Sequence, residues 1–274
     1  MRTLKLTLSY DGTRLVGWQR QAEGESVQGV LEDALARFEG GPVTVHGAGR
    51  TDAGVHALGQ VASVEVAFTH DVATLARALN AQLPEDVRVL SVEEAAPGFH
   101  ARFSARSKTY RYCIRNGAVA SPFERAYVWH VPQPLDVDAM RQAASRLLGR
   151  HDFSTFRSSG TDVPDAVRTL HRSDVTVSTA TTTPLASRCS LSTATTTPLA
   201  SRCSSDAGSL LTYEVSGDGF LRHMVRAIVG TLVEVGRGWR DPAQMDALLQ
   251  ARDRARAGAT APPHGLFLVR VDYD

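Results

Sequence analysis

From Arg2 to Val92 the apolar residues change period in a fixed order, and that order restricts the fold more than any other feature of the chain. Arg2–Tyr10 alternates Leu4, Leu6 and Leu8 with Thr3, Lys5 and Thr7, the period of a half-buried strand. Asp11-Gly12 ends it. Ser26 is placed to cap a helix running to about Phe38, with Val27, Val30, Leu31, Leu35 and Phe38 on one face. Gly40-Gly41-Pro42 stops that helix. Val43–His46 then predicts a short strand and Gln60–Phe68 a longer one. Asp71 caps a second helix over Val72–Leu83, closed by Pro84, and Val87–Val92 is the last strand of the series. Strand-helix-strand-strand-helix-strand is a split βαβ unit of ferredoxin type.

The second half again mixes the two periods. Lys108–Ile114 alternates, with Tyr110, Tyr112 and Ile114 on one face and Arg111 on the other. Trp129 and Val131 mark a further strand, and Leu135 to Leu148 reads as a helix. Val167–Val177 and Leu210–Val215 read as strands, Phe220–Val235 as a strongly apolar helix carrying Arg222 and Arg226, and Asp241-Pro242 as the start of another helix. Gly265–Tyr273 alternates as a closing strand. The expected organisation is an N-terminal half over 1–105 and a C-terminal half over 106–274, with a sheet through both and a cleft between them.

Composition narrows the class. With 43% hydrophobic and 22% charged residues, the chain is ordinary for a globular protein. No apolar run approaches a membrane span. Strand alternation begins at once after Met1, which leaves no room for a signal peptide and leads us to expect a cytoplasmic location. A net charge of +1 argues against non-specific coating of nucleic acid but is compatible with a local basic groove. Cys113, Cys189 and Cys203 form no CxxC or Cys/His cluster, so no metal site is expected.

Gly47-Ala48-Gly49-Arg50-Thr51-Asp52-Ala53-Gly54-Val55-His56-Ala57 falls between two expected strands. Its glycines let the backbone turn sharply and let a ligand come close to it. A carboxylate two residues from a guanidinium, on a loop held by strands, suits a catalytic acid, base or nucleophile. The plain alternative is a turn aspartate that accepts backbone N–H groups. For Arg50 the alternatives are a structural ion pair with Asp52 and a contact to phosphate. Trp18, after Gly17, reads as a core anchor. Arg14 suits phosphate, or a solvated loop. His56 and His151 read as hydrogen-bonded in place.

The uninterrupted run Gly47–Ala57 resembles the active-site loop of the tRNA pseudouridine synthase A family. So do other stretches across essentially the whole chain. Ser9–Gln21 is similar to the family's N-terminal signature. Phe99–Ala105 with Lys108–Tyr112 is similar to the segment that supplies its active-site tyrosine. Gly149–Arg157, Gly219–Arg226 and Gly265–Leu268 are similar to parts of its C-terminal half. Arg222 stands where the family pattern leads us to expect an aromatic residue.

The resemblance implies an α+β fold of two ferredoxin-like halves, each with an antiparallel or mixed sheet flanked by helices, and an active-site cleft between them. It implies isomerisation of uridine to pseudouridine at positions 38 to 40 of the tRNA anticodon arm, without cofactor, by a homodimer. Asp52 would be the catalytic residue. Tyr110, Arg50, Leu266, Arg14 and Arg222 would meet the substrate. A single carboxylate in the loop fits this chemistry better than glycoside hydrolysis, which uses two. The rival reading is a non-enzymatic module that binds single-stranded RNA on an open sheet face.

One segment stands outside every pattern. Ser178–Ser190 recurs unchanged as Ser192–Ser204. Two Thr/Ser-rich copies with few apolar residues cannot bury a core, so the expectation is a flexible, overgrown hairpin tip. Deleting Leu191–Ser204 is therefore expected to leave fold and activity intact, because loop-closure entropy changes by only about 0.6 kcal/mol per doubling of length. A thermal midpoint lowered by roughly ten degrees, against the few degrees per kcal/mol of a domain this size, would show that the segment is structural.

Overall fold

The structure, a computed structural model, describes residues 1–158, 165–178 and 208–273. Among them are ten strands and five α-helices, a mixed α/β composition that matches the α+β expectation. The chain divides into two compact units. The first is built from Met1–Arg111, Ser216–Phe220 and the chain from Leu266 onward; the second from Tyr112–Val215 and Leu221–Gly265.

In the first unit, β1 (Arg2–Tyr10) pairs antiparallel with both β3 (His56–Val66) and β4 (Val87–Glu94). Leu4, Leu6 and Leu8 are fully buried, as the alternation requires. α1 (Val27–Glu39) starts where the Ser26 hydroxyl accepts the Gly29 N–H at 3.1 Å, and ends at Gly40, whose φ of 74° only glycine adopts without strain. α2 (Val72–Gln82) starts at Asp71, which accepts the Thr74 N–H at 2.9 Å. That bond holds the Asp71 carboxyl below its ordinary pKa. β2 (Val45–Gly47) pairs with the far half of β3, so the strand order is that of the split βαβ unit.

β3 begins earlier than its sequence suggests. We expected it near Gln60; it starts at His56. Tertiary pairing recruits the extra residues. Ala57 lies opposite Tyr10 of β1, while His56 and Ala57 pair in parallel with Phe267 and Leu268 of β10 (Leu266–Asp272). One edge of β3 is thus shared, with β2 along Ala62–Val64 and β10 at His56–Ala57. The glycine-rich loop leaves β2 and enters β3 between those two neighbours.

The second unit takes the later part of β5 (Ser107–Asn116), followed across the sheet by β9 (Ser209–Gly217), β8 (Val167–Ser178) and β7 (Gly149–Asp152). β6 (Trp129–Val131) runs parallel to β5. The helices are α3 (Val137–Ser145), α4 (Met224–Gly236) and α5 (Gln244–Ala251). α4 is the central one. Ala227, Ile228, Val229 and Leu232 are fully buried, and Gly230 lies directly against the Ala259 carbonyl. It starts at Met224 instead of Phe220, because His223 takes a left-handed φ of 62°. Arg222 therefore precedes the helix. Apart from Ser178, the duplicated stretch lies outside the described residues, and so does the expectation attached to it. No helix among the described residues is long and apolar enough to cross a membrane.

Candidate active site

Main-chain contacts hold the loop between β2 and β3 from above. The Trp18 N–H donates to the Thr51 carbonyl at 3.0 Å, and Gly17 forms an isolated antiparallel bridge with Asp52. Gly17 has a φ of 107°, and a Cβ there would stand 2.5 Å from the Thr51 carbonyl oxygen. Only glycine permits both the turn and the approach. The next residue, Trp18, is buried with its ring on Gly47, where a Cβ would lie 2.3 Å from the indole. Trp18 is thus the core anchor we expected. Gly17 and Trp18 in turn accept the Val27 and Gln28 N–H groups at 3.2 and 2.9 Å, which fixes the segment to the first turn of α1.

From below, uncharged polar groups support the loop. The Thr51 and Tyr10 hydroxyls meet at 2.8 Å. Gln60 Nε2 donates to the Gly49 carbonyl at 2.8 Å and approaches the Tyr10 hydroxyl at 3.4 Å. Burial pushes the Tyr10 phenol up to about 12, so it stays neutral. At the loop's far end, Gly12 N–H donates to His56 Nδ1 at 3.0 Å, with Asp11 Oδ1 also 3.1 Å from that nitrogen. The His56 ring stacks on Phe267 at 4.7 Å. His56 is therefore hydrogen-bonded in place, as read from the sequence. His151 is too, with Nε2 at 2.7 Å from the Leu148 carbonyl.

β5 brings two side chains to the loop. The atoms nearest to where a Cβ of Gly49 would lie are Lys108 Cε and Nζ and the Tyr110 hydroxyl, all at 3.7 Å. Tyr110 is buried and meets Phe220 edge-on, with centroids 4.9 Å apart. Burial raises the Tyr110 pKa well above that of a free phenol, and the nearby Tyr10 and Asp52 push the same way. A neutral phenol thus stands within the field of the Asp52 carboxylate. Asp52 itself is half-buried and Arg50 is exposed. Our sequence reading passed over Lys108 as a candidate. Its signal was there: it lies two residues before Tyr110, hence on the same strand face.

The other candidates are spread more widely. Leu266 is buried at the start of β10, next to the Phe267 that faces His56. Arg14 lies in a short 3-10 turn, and its guanidinium binds Asp86 through Nε and Nη2 at 3.0 and 2.7 Å. That partner raises its pKa further. Arg222 belongs to the second unit, where it is exposed and its carbonyl accepts the Ser158 N–H at 3.1 Å. Among the described residues no group of three or more His, Cys, Asp or Glu side chains gathers as metal ligands.

The loop carries Asp52, and the buried Tyr110 reaches the same loop at Gly49; comparison with known proteins places the chain in a family. The family model for tRNA pseudouridine synthase matches residues 7–104 and 143–274. The chain belongs to the tRNA pseudouridine synthase family. It is 44% identical to tRNA pseudouridine synthase A of Pelobacter propionicus over 274 residues, covering all of both chains. It is 40% identical to tRNA pseudouridine synthase A of Streptococcus pneumoniae, again over the whole of both. The stretches matched by the synthase family model include the Gly17–Asp52 bridge and β10. Tyr110 falls between them, in a part that the full-length relatives cover.

The clamp on the loop can be tested apart from the loop's own side chains. Gly17→Ala is expected to lower stability by about 1–3 kcal/mol, the cost of a strained backbone, and to reduce turnover on tRNA by about tenfold or more through displacement of Asp52. Gly98→Ala is the control: φ is also positive there, at 83°, but nothing lies within 4 Å of an added Cβ. It should lose stability alone. Comparable losses of turnover in both variants, measured on the folded fraction, would show that the clamp does not position the carboxylate.

Proposed function

We propose that this protein isomerises uridine to pseudouridine at positions 38 to 40 of the tRNA anticodon arm, as a cytoplasmic homodimer and without a cofactor. The observation that carries this reading is a half-buried aspartate on a backbone-clamped loop that a buried neutral tyrosine reaches at Gly49, in a chain of the tRNA pseudouridine synthase family. The full-length likeness to proteins named tRNA pseudouridine synthase A supports the substrate.

The reaction breaks the N1–C1′ bond, turns the base and forms a C5–C1′ bond; the proton on C5 is lost and N1 gains one. The target base must first leave its stack. Asp52 supplies the carboxylate, as nucleophile towards the base or sugar or as the base that removes the C5 proton. Tyr110 offers its ring to stack on the uracil and an uncharged hydroxyl to hydrogen-bond within the site. Leu266 supplies an apolar wall. Arg50, exposed beside Asp52, contacts phosphate or fills the space left by the base; Arg14 and Arg222 contact the RNA backbone.

The test is release of tritium from tRNA labelled at uridine C5. Asp52→Asn keeps the side chain's size and removes its charge, so turnover should fall about a thousandfold or more while tRNA binding persists. Chelator should change nothing. A folded Asn variant that releases tritium at the normal rate defeats the mechanism. A loss of stability of about 0.5–2 kcal/mol with activity preserved would instead identify Asp52 as a turn cap.

Tyr110 gives an independent measurement. Tyr110→Ala should weaken tRNA binding by about 1–3 kcal/mol if the ring stacks on the base, whereas Tyr110→Phe should bind normally. Normal turnover in the Ala variant would remove Tyr110 from the site.

A further inference from the structure

The turn from His100 to Ser104 carries side chains that the site above does not use. It is tight. The Ser104 N–H donates to the His100 carbonyl at 2.9 Å, and the His100 N–H donates to the Ser104 hydroxyl at 3.1 Å. Its middle is anchored: Ala101 is fully buried, donates its N–H to Ser63 Oγ at 3.0 Å and accepts the Tyr273 hydroxyl at 2.7 Å.

Outward from this anchor, three rings follow one another. His46 of β2 stacks on His100 with centroids 4.8 Å apart and planes 29° from parallel, and His100 meets Phe103 at 4.4 Å. The Arg102 guanidinium carbon is 5.6 Å from the Phe103 centroid. Phe103 is 76% exposed, although Ala101, two residues earlier, is fully buried. The series thus ends in a largely exposed ring with a guanidinium over it. His100 Nδ1 accepts the Arg102 N–H at 3.1 Å, which puts the ring proton on Nε2. Burial, reinforced by His46 and Arg102, moves the His100 pKa down, so the middle ring of the stack favours its neutral form.

We propose that this ledge stacks an unpaired nucleobase of the tRNA on Phe103, with Arg102 on the adjoining phosphate. The inference rests on the reading of the protein as a tRNA isomerase. Every base presents a π-face, so an aromatic surface holds unstacked nucleotides whatever their sequence. A neighbouring arginine supplies both cation–π contact and a phosphate partner. Placement supports the assignment, because β2, which carries His46, runs directly into the Gly49–Asp52 loop. Drawing the target base out of the anticodon arm takes a stacking partner from its neighbours. A ring ledge beside the loop replaces that partner.

The experiment compares Phe103→Ala, Phe103→Leu and Phe103→Tyr for binding to an unmodified tRNA transcript, read by fluorescence anisotropy, and for KM and kcat. The exposure of Phe103 keeps these changes out of the core, and thermal midpoints check this. Ala and Leu should raise Kd and KM about tenfold, the lower to middle range of base–aromatic stacking, with kcat held. Tyr should match the wild type. Arg102→Ala should reduce the slope of log K against log salt by about 0.7, one single-strand phosphate contact.

Wild-type binding by Leu, which keeps bulk and lacks a π-face, overturns the proposal. So does unchanged binding by Ala. A change in sedimentation for Ala with tRNA affinity intact also overturns it, and assigns the ledge to contact between protein copies. If the wild-type protein makes no pseudouridine, the isomerase reading fails on its own, and the anisotropy series still decides whether the ledge holds RNA.

Discussion

The loop that carries Asp52 depends on one place where two stretches of main chain lie almost on top of each other, Gly17 against Thr51 and Asp52. A loop rich in glycine loses much conformational freedom on ordering, and it needs fixed partners to hold a carboxylate in one place. Here the partners are backbone atoms. Trp18 N–H reaches the Thr51 carbonyl, and the segment carrying it is fastened to the start of α1. Glycines recur at such contacts for one reason: at Gly12, Gly17 and Gly47 a Cβ would fall within 2.6 Å of Val55, Thr51 or Trp18 atoms. The spacing of the N-terminal signature is the spacing needed to lay one peptide against another.

The polar interior under the loop is uncharged. Tyr10, Thr51 and Gln60 satisfy one another and the Gly49 carbonyl. An unpaired buried charge would cost far more than hydroxyls and amides that can share protons. Burial also keeps the phenols of Tyr10 and Tyr110 protonated well beyond neutral pH. Near Asp52 the ring and hydroxyl of Tyr110 therefore contribute no competing negative charge. That suits the proposed mechanism, in which one carboxylate acts on a neutral base inside a substrate whose phosphates are already negative.

The order of elements was legible because it is written in periodicity: Leu4, Leu6 and Leu8 alternate, and Ser26 and Asp71 announce helix starts that the structure contains. Boundaries set by tertiary partners were not. His56 and Ala57 look like loop residues until β1 and β10 pair with them. Gly149–Asp152 has no strand signature and becomes β7 only against Val167–Leu170 of β8. The apolar run from Phe220 hides the break at His223, because a left-handed residue leaves no mark on hydrophobic pattern. Asp52 and Tyr110 were singled out through stretches that resemble a family's motifs. Lys108 and the His46–His100–Phe103 rings were missed because their meaning lies in proximity, which spacing along the chain does not report.

The shared edge of β3 has a consequence in time. β2 and β1 reach β3 from nearby sequence, but β10, which pairs with His56 and Ala57 at the exit of the loop, begins only at Leu266. During synthesis the split βαβ unit emerges first and can collapse around its leucines. The stretch that leads the chain away from Asp52 then waits, with one flank open, until the distant strand leaves the ribosome. Contacts of such long sequence separation form slowly. A nascent chain therefore carries the whole motif before it has the partner that completes its strand. A strand some two hundred residues downstream, not the split βαβ unit alone, completes the strand at the loop's exit.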